Sequence, residues 1–360
     1  MVQQYLNFLR SYLGYQTKFK TFLKPLYLTY IVTENCNLRC PFCYAWRSPR
    51  LNELRLEEIE DVFSSKILRN LISVGLTGGE PFLRDDIVDI ASVIAEHIRN
   101  LQELRIVTNG FFSDKIISSV HEIMDITDLP VSVKVSIDGL ESTHDKMRGK
   151  GVFSKAMSTL KGLKELKEDG HNLKISTGFT ALDENIGEIW DLYEKFGHDF
   201  EFFFKPVQAI DGLSDPCRRV PVSEKTKQIF IEFTNYYLDT EFKEKKASLW
   251  QSSRKLYYKY LLDFLINQDV RPVPCSAAYS FLTMDSDGAV WPCSVSHTVL
   301  GNVRELPLDE IWYSPYANEI RRNIQRGDCA CLTSCDLGPS ILTCRWYRII
   351  FDYIRSSAHL

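Results

Sequence analysis

The chain has 360 residues, 44% hydrophobic and 25% charged, enough for an α/β domain with a smaller appended module. Its 43 basic and 47 acidic residues give a net charge of −4, which argues against bulk electrostatic binding of DNA or RNA. No apolar run reaches the roughly 20 residues needed to span a bilayer, and polar residues interrupt the start too often for a signal peptide. A cytoplasmic location is expected, and there ten cysteines suggest metal or redox chemistry more than disulfides.

Tyr5, Leu6, Leu9, Tyr12 and Leu13 fall at helical spacing, so residues 1–24 read as a helical extension. From 25 to about 210, apolar runs of strand length alternate with helical patterns. Strands are expected at 26–32, 71–77, 104–108, 131–137, 173–179 and 200–205. Helices are expected at 55–69, 85–99, 113–124, 153–167 and 183–196. Such alternation specifies βαβ units and a parallel sheet. Six repeats suit either a partial barrel or an open doubly wound sheet, and periodicity does not choose between them.

Residues 211–270 read as a linker, a loop over 211–222 and then helices over 223–266. From 271 to 345 the chain is rich in cysteine. There, strands at 281–284 and 289–291 flank Asp285-Ser-Asp-Gly288, a hairpin signal, and one helix is expected at 307–325. In 346–360, Trp346, Ile349, Ile350, Tyr353 and Ile354 share one helical face, opposite Arg345, Arg348, Asp352 and Arg355. The amphipathic ends either pack on the barrel or lie on a membrane surface.

Cys36, Cys40 and Cys43 follow the first strand within eight residues. Loops after strand C-termini build the sites of parallel sheets. Three thiolates can hold three irons of a four-iron cluster and leave the fourth open. A zinc knuckle on Cys40 and Cys43 would need a second ligand pair from elsewhere, and three buried thiols packing as small apolar groups are a further alternative.

The pattern Cys-x3-Cys-x2-Cys, with Asn37, Leu38, Arg39 and Phe42 between, resembles the signature of the radical S-adenosylmethionine (SAM) family. Thr77-Gly78-Gly79-Glu80-Pro81 at the second strand's end, Thr108-Asn109-Gly110 at the third and Ser136-Ile-Asp138-Gly139 at the fourth extend the likeness along the chain. The resemblance implies a partial (β/α)6 barrel of parallel strands and a [4Fe-4S] cluster on Cys36, Cys40 and Cys43. It also implies SAM contacts from Phe42 near the adenine, Gly78, Gly79 and Glu80 at the amino group, and Asn109, Ser136 and Asp138. Arg148 would meet the methionine carboxylate. Reductive cleavage of SAM would then yield methionine and a 5′-deoxyadenosyl radical that takes hydrogen from a peptide or small-molecule substrate. A flavodoxin or ferredoxin would donate the electron. The residues themselves name no catalytic acid or base.

Cys275, Cys293, Cys329, Cys331, Cys335 and Cys344 resemble the SPASM module, an auxiliary cluster-binding extension. Six thiols fall short of the eight that two four-iron clusters need, so one auxiliary [4Fe-4S] cluster is expected. Its favoured ligands are Cys275, Cys293 and Cys335 with Cys329 or Cys331, and Cys344 is a contender. Four of these cysteines could instead hold zinc. Cys217 reads as an ordinary thiol or a substrate-site residue. The alternative function is an iron–sulfur electron-transfer or zinc-stabilised binding protein, which would have no use for a nucleoside site.

Overall fold

A computed structural model describes residues 2–17, 23–43, 45–47, 52–207, 223–242, 249–267, 271–296, 298–327 and 334–350. The expected loop at 211–222, Cys217, Cys329, Cys331 and residues 351–360 lie outside the described residues.

The six expected strands form: β1 (Tyr27–Thr33), β2 (Ser73–Gly78), β3 (Glu103–Thr108), β4 (Val131–Ser136), β5 (Leu173–Ala181) and β6 (Glu201–Pro206). Each pairs in parallel with its sequence neighbour. The sheet continues past β1 through β7 (Phe281–Met284), β8 (Ala289–Trp291) and β9 (Gly301–Asn302). Its order, β6-β5-β4-β3-β2-β1-β7-β8-β9, is an unclosed partial barrel and not a doubly wound sheet. The cysteine-rich hairpin is therefore part of the barrel sheet, because β7 pairs in parallel with β1.

Strand periodicity sets the two faces. On β3 and β4, Leu104, Ile106, Val131, Val133 and Val135 are buried on the helix-covered face. The alternating partners, Arg105, Val107, Ser132, Lys134 and Ser136, are half-buried on the inner face. Six helices succeed one another beside these strands: α2 (Leu56–Ser64), α3 (Ile87–His97), α4 (Ser113–Ile126), α5 (Glu141–Arg148), α6 (Val152–Glu168) and α7 (Ile189–Phe196). Of these, α5 was not legible in the sequence. It buries only His144 and Met147, so it has no apolar stripe to betray its period.

Two further helices, α8 (Glu224–Glu241) and α9 (Leu249–Ile266), pack beside β6. Phe204 stacks on Tyr258 of α9 at 4.4 Å and meets Phe233 of α8 at 4.9 Å. The single helix expected at 307–325 is instead two, α10 (Leu308–Tyr313) and α11 (Pro315–Arg326). Pro315 cannot continue the preceding helix, and Ser314 caps the new one by accepting from Ala317 N–H.

The N-terminal helix α1 (Val2–Thr17) packs on α12 (Ser334–Cys344). Ser11 hydrogen-bonds Thr343, Tyr15 meets Tyr279 edge-on at 5.0 Å, and Gln325 donates to the Tyr15 carbonyl. The described parts of the amphipathic ends thus cover the C-terminal module. No described helix is long and apolar enough to cross a membrane.

Candidate functional site

The loop after β1 carries Cys36, Cys40 and Cys43. Its position is fixed by backbone contacts with the end of β2: Gly79 N–H donates to Thr33 O, and Glu80 N–H to Asn35 O. Gly78 has φ 136°, and a Cβ there would lie 1.9 Å from Thr33 O. A Cβ on Gly79 would lie 2.1 Å from Asn35 O. The glycines therefore admit the chain's own backbone.

Glu80 lies beneath this junction with no exposed surface. Its carboxylate accepts from Thr108 Oγ1 at 2.8 Å, Asn109 N–H at 2.7 Å and Phe82 N–H at 3.3 Å. Burial pushes its pKa up to about 7, although those donors pull the other way. A carboxylate offers about four acceptor sites, so three donors leave room for one more. Asn109 donates to Asn37 at 2.9 Å, and its Nδ2 lies 3.9 Å from the Cys36 sulfur. The ends of β2 and β3 thus grip the cysteine loop directly.

The three thiols suit a cluster better than a single ion. Leu38 N–H already aims at the Cys36 sulfur at 3.4 Å, as a donor to thiolate does. Burial pushes the Cys40 thiol up to about 11 and raises Cys36 as well, while Arg148 lowers both. A bound metal would supply the missing positive charge. Among the described residues, the only metal-ligating groups gathered within 4.8 Å of one another are His121, Asp125 and His171, away from this loop. Three thiolates on one short loop are a donor set that suits an iron–sulfur cluster. Leu38, Phe42, Phe111 and Val152 pack around them.

Asp138 is fully buried. Its Oδ1 accepts from Thr180 N–H at 2.8 Å, and its Oδ2 pairs with Arg148 Nε at 2.7 Å and Nη2 at 2.6 Å. Burial works against the Arg148 charge, but Asp138 outweighs it and the pKa is raised. The Arg148 guanidinium sits 5.7 Å from the Phe42 ring, which places it beside the cysteine loop. Asp138 N–H donates to His144 Nδ1 at 3.1 Å. Burial and then Arg148 lower the His144 pKa to about 4, so the ring is neutral. Asp138 is thus the strut that aims Arg148. Ser136 ends β4 on the inner face, in register with Gly178 of β5. The supporting backbone N–H of Thr180 and side chain of His144 carried no signal in the sequence beyond their residue type.

Beside the loop, Arg84 joins separate segments. It donates to Val32 O and Leu54 O, both at 3.0 Å, and pairs with Asp86 at 2.6 Å. Thr33 in turn hydrogen-bonds Glu53.

In the C-terminal module, Cys275 and Cys293 join Tyr27, Ile72 and Phe281 in one apolar cluster, with Leu342 of α12 against it. Cys344 closes α12, and burial followed by the neighbouring Cys275 pushes its thiol up to about 12. Near the N-terminal end of β1, Cys275 thus shares an apolar cluster with Cys293 and lies within electrostatic reach of Cys344. The Cys335 side chain lies outside the described residues.

Residues 30–196 match the radical SAM superfamily model, and residues 275–336 match that of the SPASM iron–sulfur cluster-binding domain. The sporulation killing factor maturation protein SkfB of Bacillus subtilis is 25% identical over 325 residues, 87% of this chain and 70% of that protein. The antilisterial bacteriocin subtilosin biosynthesis protein AlbA, also of Bacillus subtilis, is 23% identical over 83% of this chain and 62% of its own length. Among solved structures, native anSMEcpe with bound AdoMet superimposes with a TM-score of 0.62 at 17% identity, covering 93% of this chain and 98% of that one. Streptococcus suis SuiB bound to precursor peptide SuiA gives 0.60 at 19%, covering 86% and 70%. At these identities the two structures establish the shared fold.

Proposed function

This chain is a radical SAM enzyme with a C-terminal SPASM domain, and we propose that it modifies a peptide by hydrogen abstraction. The observation carrying the substrate reading is that SkfB, named for maturation of a sporulation killing factor, and AlbA, named for biosynthesis of a bacteriocin, align with more than four-fifths of the chain across both domains.

In this reading Cys36, Cys40 and Cys43 would hold the [4Fe-4S] cluster, beside which SAM would bind. When bound, cluster and SAM together supply a carbon-centred radical. Phe42 flanks the adenine, and Glu80, through its remaining acceptor site, orients the amino group. Gly78 and Gly79 hold the loop against β2. Asn109 and Ser136 line the rim where the ribose lies. Asp138 aims Arg148, whose Nη1 has no partner among the described residues and is available to the methionine carboxylate. Cys275, Cys293 and Cys344 hold one auxiliary [4Fe-4S] cluster, with a fourth ligand from Cys329, Cys331 or Cys335. The electron comes from a flavodoxin or ferredoxin.

The first test is anaerobic purification followed by iron, sulfide and zinc analysis, then assay of 5′-deoxyadenosine from SAM with a strong reductant. Iron with deoxyadenosine release supports the reading. Zinc in place of iron overturns it. The second test co-produces the enzyme with short peptides encoded beside its gene and looks for a mass change. A small-molecule substrate is the second reading, favoured by the Fe-coproporphyrin III synthase of Methanosarcina barkeri, 28% identical over 80% of this chain.

A further inference from the structure

Far from the cysteine loop, α4 and the turn after α6 bring three metal-ligating side chains together. Helices α4 and α6 pack side by side. Near their starts, Ser113 Oγ donates to Lys155 O at 2.9 Å. One turn on, Ile117 fills the space beside Gly162, where a Cβ would lie 2.2 Å from Ile117 Cδ1. The helices therefore run in the same direction and end on the same side of the sheet. The buried stripe of α4 includes Ile116, Val120 and Ile123. His121 and Asp125, four residues apart on one helical face, lie outside it, with side chains 46% and 53% exposed. The third side chain comes from another segment. After α6, Asp169 N–H donates to Glu165 O and Gly170 N–H to Lys167 O. Gly170 has φ 98°, a left-handed turn that favours glycine. His171 follows at once, and its carbonyl accepts from Leu173 N–H at 2.8 Å where β5 begins. His171 is thus held between a helix end and a strand start.

The His171 ring meets that of His121 edge-on, with centroids 5.1 Å apart at 74°. Among the described residues it has no hydrogen bond or ion pair to occupy its nitrogens. Ligand atoms of His121, Asp125 and His171 all lie within 4.8 Å of one another. His121 Nδ1 and Asp125 Oδ2 are 3.3 Å apart. A tetrahedral zinc ion, about 2.0–2.1 Å from each nitrogen or oxygen, holds its ligands about 3.3–3.4 Å apart. One edge of the tetrahedron is therefore already in place, and small side-chain rotations close the other two. A plain surface ion pair would need only His121 and Asp125. The second imidazole, converging from a different segment, is what a metal site adds. Two imidazoles and a carboxylate suit a borderline divalent ion, whereas magnesium and calcium take oxygen shells.

We infer that His121, Asp125 and His171 bind one zinc-class divalent ion, with water as the fourth ligand, and that the ion clamps the end of α4 to the turn feeding β5. The site adjoins the start of β5, whereas the cysteine loop and its supporting motifs follow strand ends. The ion thus stands apart from hydrogen abstraction, and the inference does not depend on the substrate. Zinc found beside the full complement of cluster iron would belong here, unlike zinc found in place of iron.

The test uses cluster-loaded enzyme with SAM, titrated anaerobically with zinc against a chromogenic chelator and followed by amide exchange. One zinc per chain is expected to bind and to slow exchange at the end of α4 and in residues 169–173. In H121A/H171A the affinity should fall by a factor of roughly ten or more, because two of three ligands are gone. The local protection should vanish with it, while cluster iron and deoxyadenosine release stay unchanged. D125N should weaken binding by less and keep both imidazoles. Magnesium should give no protection. The inference is overturned if the unsubstituted enzyme binds no zinc or if H121A/H171A binds it equally well. Protection confined to other segments, or matched by magnesium, overturns it too. Should H121A/H171A not fold, H171Q decides by the same criterion.

Discussion

The two cysteine regions of this molecule are built in opposite ways. At the mouth of the barrel, three thiols lie within eight residues, and consecutive strand ends grip the loop that carries them. Glu80, Asn109 and Asn37 link β2, β3 and the loop through short contacts. The C-terminal module is instead held by segments far apart in sequence. Leu23 O accepts from Trp312 Nε1 and Tyr313 Oη, both at 3.0 Å, and Ser11 meets Thr343. Arg321, almost wholly buried, ties the two helices of the module to the hairpin through Ala278 O and Trp312 O. The first cysteine loop is thus held by adjacent strand ends, while the C-terminal cysteines lie among segments far apart in sequence.

This contrast can be broken most decisively at the barrel mouth. Replacing Cys36, Cys40 and Cys43 together by alanine should reduce deoxyadenosine formation to background and remove the iron of one cluster. The iron of the auxiliary site should stay, because its ligands lie in the other region. Iron analysis and an activity assay read both outcomes, and loss of all iron would show that the two regions do not load independently.

The next largest effect is expected from Asp138→Asn. It strands the buried Arg148 charge, which typically costs about 3–5 kcal/mol. Denaturant unfolding should show the loss. If the strut matters only at the barrel mouth, auxiliary iron content will not change.

A pH experiment addresses the same end of the barrel. Glu80 has a folded pKa of about 7 against an ordinary 4.5. The folded state therefore holds the proton more tightly than the unfolded chain does. Stability from this group is full below about pH 4.5 and is lost as pH rises through 7, by up to about 3 kcal/mol. Glu80→Gln should remove that slope in nucleotide-free enzyme, as followed by unfolding midpoints across pH 5 to 8. An unchanged slope would assign the effect to another group.

The smallest effect belongs to the other region. Ser11→Ala removes one hydrogen bond between the chain ends, worth about 1 kcal/mol. Faster amide exchange in α1 and α12, with β1 to β6 unaffected, would support the idea that the ends close the module as a unit. Uniform exchange across the barrel would count against it.

The strands were legible because burial on one face imposes a two-residue period, so β1 to β8 lie within a few residues of expectation. The cysteine loop was legible because its three thiols lie within eight residues of one another. The break at Ser314-Pro315 was also written in the residues, yet the apolar pattern running across it masked it. Helix α5 gave no period to read.

The sequence by itself determined the six βα units and the three-thiol loop, which follow from local periodicity and spacing, and the strand-end motifs, which follow from resemblance. Only the tertiary structure decided that β7 extends the barrel sheet at the free edge of β1 and that Gly78 and Gly79 admit backbone. Those outcomes depend on which distant surfaces meet, and a side chain's neighbours across a sheet are set by register between strands, which no single segment encodes.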